Sequence, residues 1–373
     1  MKVLISRKDL KDTTSGVPKK VLQEIYFFRS RGFEAYAIAE TMNYAMVEEF
    51  KGIPVKTLRW PFSGYFRRKF YQQNVERWIK REKPDLVIGH GDIMNQDVLF
   101  IHNCVHLAHE LIEGKPLPAD HEVGRIHEAI LKEGNYKLLI CNSELMKKDL
   151  VQRFHLDDKK AVVIYPEVNL EKFKTPDPEA LKREWREKLG FKQDDFVIGI
   201  VTSGNFKKRN LSLLIESFKE ISEKHSVAKL FIAGGGIDQK YKDLVVSLGI
   251  SDKVVFAPAI IDVKNYFYLL DVFVLPALIE EFGRSVLEAM FCGKAVITTS
   301  KVGCSEIMEE RSREMIMENN DQKTLTEMLE RLLKDAEFRQ AVAEINSKTA
   351  VKYSASVQNE RFGEVLGEFG LLS

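Results

Sequence analysis

What most constrains this chain is that one hydrophobic pattern occurs twice. Short, continuously apolar runs alternate with helix-patterned segments at residues 3–5, 35–38, 86–88, 98–101, 138–140 and 162–164. They begin again at 196–201, 230–233, 254–256, 272–275 and 295–297. Continuous rather than alternating hydrophobicity predicts strands buried on both faces, as in parallel sheets covered by helices. Between the series lie Pro166-Glu167-Val168-Asn169 and Thr175-Pro176-Asp177-Pro178, polar and proline-rich, which mark a domain boundary. The predicted fold class is therefore α/β, with two doubly wound domains facing a central cleft. The boundaries read as 1–168 and 169–354, with a final helix at about 355–373 packing back onto the first domain. A length of 373 residues suits two such domains. In open α/β sheets ligands bind outside the carboxyl ends of the strands, so the loops there are where chemistry is sought.

Composition removes several other classes. With 56 Lys+Arg against 55 Asp+Glu, nothing in the charge balance suggests a dedicated nucleic-acid binder. The first apolar run is too short for a signal peptide, and no later run approaches the ~18 residues of a membrane span. The four cysteines, Cys104, Cys141, Cys292 and Cys304, show no C-x-x-C spacing and lie in or beside apolar runs. They read as buried thiols in a reducing cytoplasm, not as a zinc site or a disulfide framework.

The most informative stretch runs from the end of the strand at Leu275 through Glu280, Gly283 and Arg284-Ser285-Val286-Leu287-Glu288. A tight turn at Gly283 leads into a helix whose first N–H groups can receive an anion. Glu280 and Glu288 flank that point and can accept hydrogen bonds from hydroxyls; taken alone, they would equally serve as solvated charges. After the first strand of the second domain comes Ser203-Gly204-Asn205-Phe206-Lys207-Lys208-Arg209-Asn210, where adjacent cations at a strand-to-helix turn can converge on phosphate. The chain has no Asp-x-Asp pair to clamp a divalent metal on a diphosphate, and no metal or other cofactor is expected.

These segments resemble the retaining glycosyltransferases of family 4, which have the GT-B fold. Glu280 and Glu288 match the family's paired glutamates around F-G and L-E-A. Leu138 to Ser143, Val163 to Phe173, the loop 203–209 and Asp262 to Leu275 match further family segments in order. The resemblance implies that Glu280 contacts the donor sugar, Glu288 the ribose, and Lys208 and Arg209 the diphosphate. It extends the donor site to Ser203, Gly204, Gly234, Pro258, Phe282, Gly283, Arg284 and Ser285, and to Ser15 and Gly16 in the first domain. The three glycines Gly234 to Gly236 lack the G-x-G-x-x-G spacing and read as structural, with backbone near the nucleotide. Glu167 and Asn210 stand where the family usually has glycine, and Ser15-Gly16 where it usually has two.

In the first domain, His102 and Asn103 follow a strand end and are expected to line the active site, whereas His106 and His109 suit packing or acceptor contact. The segment 60–83 interleaves seven Lys/Arg with Trp60, Phe62, Tyr65, Phe66, Phe70, Tyr71 and Trp78. It suits either an anionic lipid surface or phosphorylated glycolipid, or an ordinary helix with its apolar face on the sheet. Length, N-terminal region and residues 98–110 look most like lipopolysaccharide-core glucosyltransferases. That implies UDP-glucose as donor, a saccharide or glycolipid acceptor, and a cytoplasmic enzyme peripheral to the membrane. A GT-B epimerase and a GDP-mannose-dependent mannosyltransferase are the alternatives. A dinucleotide oxidoreductase lacks its glycine fingerprint here, and a non-catalytic sugar-nucleotide binder would lack the phosphate-binding cations.

Overall fold

The computed structural model describes residues 1–11, 16–61 and 64–372. The chain forms two compact units, Met1–Ile164 with Asn359–Ser373, and Tyr165–Gln358.

The first unit holds a seven-stranded parallel sheet. Its strands are β1 (Lys2–Ser6), β2 (Glu34–Ala39), β3 (Ile53–Lys56), β4 (Leu86–Gly89), β5 (Val98–Phe100), β6 (Leu138–Cys141) and β7 (Ala161–Val163). The spatial order is β3-β2-β1-β4-β5-β6-β7. Winding reverses between β1 and β4, so the loops leaving their carboxyl ends part there. The apolar runs foretell six of these strands; β3 escapes because Pro54 interrupts a half-buried segment. An edge position tolerates that proline, since an outward-facing strand side needs no N–H. Phe362, Val365 and Leu366 of the helix Ala355–Glu368 lie in this unit's core beside Phe27 and Phe28.

The second unit repeats the plan with β8 (Phe196–Val201), β9 (Ala228–Ala233), β10 (Val254–Ala257), β11 (Val272–Leu275), β12 (Ala295–Thr299) and β13 (Ile316–Met317). The order β10-β9-β8-β11-β12-β13 again reverses, now between β8 and β11. The boundary segment closes with the helix Pro178–Lys188, capped by Asp177, whose carboxylate accepts from the Ala180 N–H at 2.8 Å. Near its end Arg186, 2% exposed, donates to the carbonyls of Leu269, Gln193 and Asp195 and to Asp271 Oδ2 at 2.7 Å. Asp271 also accepts from the Val197 N–H and from Lys182. This aspartate of the strand-leading motif thus ties a helix to the starts of β8 and β11. The four cysteines are buried and form no disulfide.

Candidate functional site

At the carboxyl end of β11 the chain runs through a loop pinned at both sides of Glu280. Its N–H donates to the Lys301 carbonyl at 3.0 Å, and its own carbonyl accepts from Gly303 at 3.0 Å. Gly283 follows at φ 87°, where a Cβ would sit 2.7 Å from Val302 Cγ1, and from it springs the helix Arg284–Phe291 with no side-chain cap. Only glycine meets both the left-handed backbone and the close approach.

The loop after β8 lies against this one, with the Leu278 N–H donating to the Lys208 carbonyl at 2.9 Å. It is shaped by Asn205 and Asn210, at φ 52° and 51°. Asn tolerates the left-handed region better than other non-glycine residues, which is why it can stand where glycine is usual. Asn210→Ala is expected to lower stability by about 1 kcal/mol, and Asn210→Gly to leave it nearly unchanged; urea midpoints of the two variants check this. The Gly234-Gly235-Gly236 run has a packing reason. A Cβ on Gly234 would meet the Thr202 carbonyl oxygen at 2.5 Å, and one on Gly204 the Gly235 oxygen at 2.8 Å, so the loops after β8 and β9 touch backbone to backbone.

Here two cations and two carboxylates interleave. Lys208 Nζ lies 2.7 Å from Glu281 Oε2 and 3.6 Å from Glu280 Oε2, and Arg209 lies 2.9 Å from Glu280 Oε1. Arg209 also donates to the Gly204 carbonyl. Glu280 and Glu281 are only 9% and 8% exposed, and pairing with the cations offsets the cost of burying them. Arg209 is the charge partner of Glu280 Oε1 at 2.9 Å, but among the described residues no aligned hydrogen bond reaches that oxygen. A buried carboxylate oxygen with unmet capacity, beside two cations, is suited to receive a hydroxyl.

The other residues of the expected donor site differ in exposure. Ser203 and Pro258 are exposed, Gly234 is buried, and Ser285 and Glu288 are partly exposed on the helix. Phe282 is buried, its ring 6.0 Å from Tyr165, and is placed for packing. Arg284 donates to the backbone oxygen and carboxylate of Glu167, at 3.0 and 3.3 Å. Glu167 therefore substitutes for glycine without any left-handed strain and holds the first residue of the helix. Sequence reasoning passed over Glu281, the tightest partner of Lys208; its adjacency to Glu280 was the available signal.

In the first unit, Ser15 lies outside the described residues, as do Thr13, Thr14 and Phe62. Gly16 opens the helix Gly16–Ser30, with Pro18 in its first turn, where no N–H partner is lost. His102 is partly exposed and Asn103 exposed just beyond β5. His106 packs edge-on against Phe154, and His109 Nδ1 meets the Lys115 carbonyl at 2.9 Å. Burial drives His127 down to about 4.

The helix Tyr65–Glu82 buries Tyr71, Val75 and Trp78. Two of its cations turn inward instead of facing solvent. Arg67 pairs with Glu40 at 2.7 Å, and Arg68 with Asp92 and Glu122, each at 2.8 Å, while Arg7 also reaches Asp92 at 3.1 Å. Burial, then Arg68 and Arg67, lower the proton affinity of Lys8, against the pull of Asp92 and Glu40. Phe66 and Leu58 are exposed.

Among the described residues, no group of three or more His, Cys, Asp or Glu could hold a metal ion, and no helix is long and apolar enough to cross a membrane.

Two family models match the chain, one for glycosyl transferases group 1 over residues 182–349 and one for glycosyltransferase family 4 over residues 15–172. An uncharacterized glycosyltransferase of Methanocaldococcus jannaschii is 30% identical over 226 residues, 58% of this chain and 56% of that protein. The lipopolysaccharide glucosyltransferase WaaG of Escherichia coli is 22% identical over 300 residues, 78% of each. A crystal structure of WaaG, a glycosyltransferase involved in lipopolysaccharide biosynthesis, superposes with a TM-score of 0.80 at 19% identity, covering 97% of this chain and 99% of that one. Anabaena HepE in complex with UDP-glucose follows at 0.77 and 16%, covering 99% and 100%. The chain spans about half the length of several curated relatives it matches. The structural likenesses establish the GT-B fold, two parallel-sheet α/β units.

Proposed function

We propose that this chain, which belongs to the glycosyl transferases group 1 family, moves a hexose from a nucleoside-diphosphate sugar to a hydroxyl of a saccharide or glycolipid, with retention of configuration. The observation that carries this reading is the buried Glu280 carboxylate, with Arg209 against Oε1 and Lys208 nearer Oε2. Departure of the diphosphate is the demanding step, and its growing charge is what the site must stabilise. Donor phosphate oxygens compete with Glu280 and Glu281 for the two cations. As the cations turn to the diphosphate, Glu280 is released to accept from sugar hydroxyls. The uncapped start of the helix Arg284–Phe291 adds N–H groups and a favourable dipole, and Glu288 on its second turn suits the ribose.

UDP-glucose is the proposed donor, supported by the WaaG and HepE likenesses. No metal is assigned a role, since the cations and helix start supply the positive field. The proposed acceptor is a cell-envelope saccharide or lipopolysaccharide-core glycolipid. The exposed Phe66 and Leu58 beside Lys69, Arg77, Lys80 and Arg81 suit peripheral contact with an anionic membrane.

The test is a thermal-shift panel of UDP-glucose, GDP-mannose and ADP-glucose, run with and without EDTA. A ligand that binds only the native state at 100 times its Kd adds about 2.7 kcal/mol. UDP-glucose is expected to raise the midpoint most, equally in EDTA. No shift from any nucleotide sugar overturns the reading, and a shift abolished by EDTA overturns its metal-free form.

A further inference from the structure

At the carboxyl edge of the first unit's sheet, beside the reversal between β1 and β4, three polar side chains form a line running from the core outward. Glu24, 1% exposed, projects from the apolar face that the helix Gly16–Ser30 makes with Val21, Ile25 and Phe28. Its Oε2 lies 2.9 Å from Nε2 of His90, which is itself 1% exposed and directly follows β4. His90 Nδ1 lies 2.9 Å from Nε2 of the partly exposed His102. The rings of His90, Phe100 and His102 lie within 11° of parallel, with centroids 5.0, 5.2 and 6.0 Å apart, His90 and His102 edge to edge through their hydrogen bond. Among the described residues no hydrogen bond reaches His102 Nδ1.

Valence sets the protons along this line. An ionised Glu24 only accepts, so His90 Nε2 must donate to it. A neutral His90 then has a lone pair on Nδ1, which requires a proton on His102 Nε2 and leaves His102 Nδ1 as an acceptor. Burial above all, with Arg7 and Lys20 adding positive charge nearby, holds the proton affinity of His102 well below the imidazole range.

We infer that Glu24 and His90 are positioning residues that hold His102 as the Nε2-protonated tautomer, with its Nδ1 lone pair presented to a substrate hydroxyl. The identity of that hydroxyl, on donor hexose or acceptor, rests on the glycosyl-transfer reading; the tautomer does not. The hydrogen bond from His90 gives the carboxylate in an apolar helix face its partner. It sets a distant ring's polarity, as a carboxylate does for a metal-bound histidine.

The experiment is nitrogen-15 imidazole NMR on the full chain, with the His102 signals assigned by His102→Gln. The wild type is expected to show His102 protonated on Nε2 alone. Glu24→Gln, nearly isosteric and able to turn either its oxygen or its NH₂ toward His90, is expected to give a mixture of tautomers. It is also expected to slow acceptor-independent hydrolysis of UDP-glucose by about 10- to 100-fold, the usual range for a lost orienting partner, with the melting midpoint and the UDP-glucose thermal shift preserved. A wild-type His102 protonated on Nδ1 overturns the inference, as does a Glu24→Gln variant with unchanged tautomer and rate. If no nucleotide sugar binds or turns over, the transfer reading fails while the NMR result still decides the tautomer.

Discussion

Glu280→Gln is expected to lower turnover of the nucleotide sugar by about 100- to 1,000-fold, the loss seen when one preorganised group is removed from a charge-stabilising site. The amide keeps the shape and one acceptor oxygen, so the fold and the packing of Phe282 are retained. It loses the negative charge that holds Arg209 in place at 2.9 Å and binds sugar hydroxyls more strongly than a neutral amide can. Steady-state rates at saturating donor, beside melting curves, check this; wild-type turnover would remove Glu280 from the site. From sequence alone, Lys208→Ala/Arg209→Ala looks like an equally clean probe that should abolish transfer and leave folding intact. The geometry revises this. Losing both cations takes from Glu280 and Glu281, two largely buried carboxylates, the positive charges they pair with. Activity and stability are then expected to fall together, which makes Glu280→Gln the sharper test.

Asp271→Asn is expected to destabilise the second unit by about 3–5 kcal/mol, the range for breaking a buried ion pair and leaving one partner charged. The charge left behind is Arg186, which cannot be neutralised by losing a proton. The effect is pH-dependent with a definite sign. Burial pushes the Asp271 carboxyl upward, but attraction from Lys182 and Arg186, with hydrogen bonds from Lys182 and the Val197 N–H, outweighs it and brings the pKa below the ordinary value. A carboxylate depressed in the folded state contributes its stability above the unfolded pKa, about 3.9, and loses it as pH falls through the folded value. Urea midpoints of wild type and variant should therefore differ widely at pH 7 and converge in acid. A difference unchanged between pH 7 and pH 3 would remove the charge of Asp271 as its cause.

Much of the architecture was legible because buried parallel strands announce themselves in consecutive residues. Val272 to Leu275 and Leu138 to Ile140 are apolar without interruption, and each is fully or almost fully buried. β3 and β13 were not legible, the first because Pro54 breaks its run and the second because Ile316–Met317 is two residues long. At the candidate site, Glu280, Lys208 and Arg209 could be singled out from loop position and residue type, and the structure brings them together. Their partner Glu281 and the inward carboxylate Glu24 were not singled out. Glu24 carried a faint signal, an acid on a helix stripe that otherwise reads Val21, Ile25 and Phe28.

Taken by itself, the amino-acid order determined where most of the buried strands form, that the pattern runs through twice, and that Gly283 makes a tight turn. Those outcomes depend on hydrophobic spacing and backbone sterics among near neighbours. Only the tertiary structure decided which charges meet. Lys208 reaches Glu281 across 73 positions, His90 reaches Glu24 across 66, and Arg284 reaches Glu167 across 117. No local periodicity encodes such pairs, because a buried ion or imidazole takes its partner from whatever the folded sheets bring within about 3 Å.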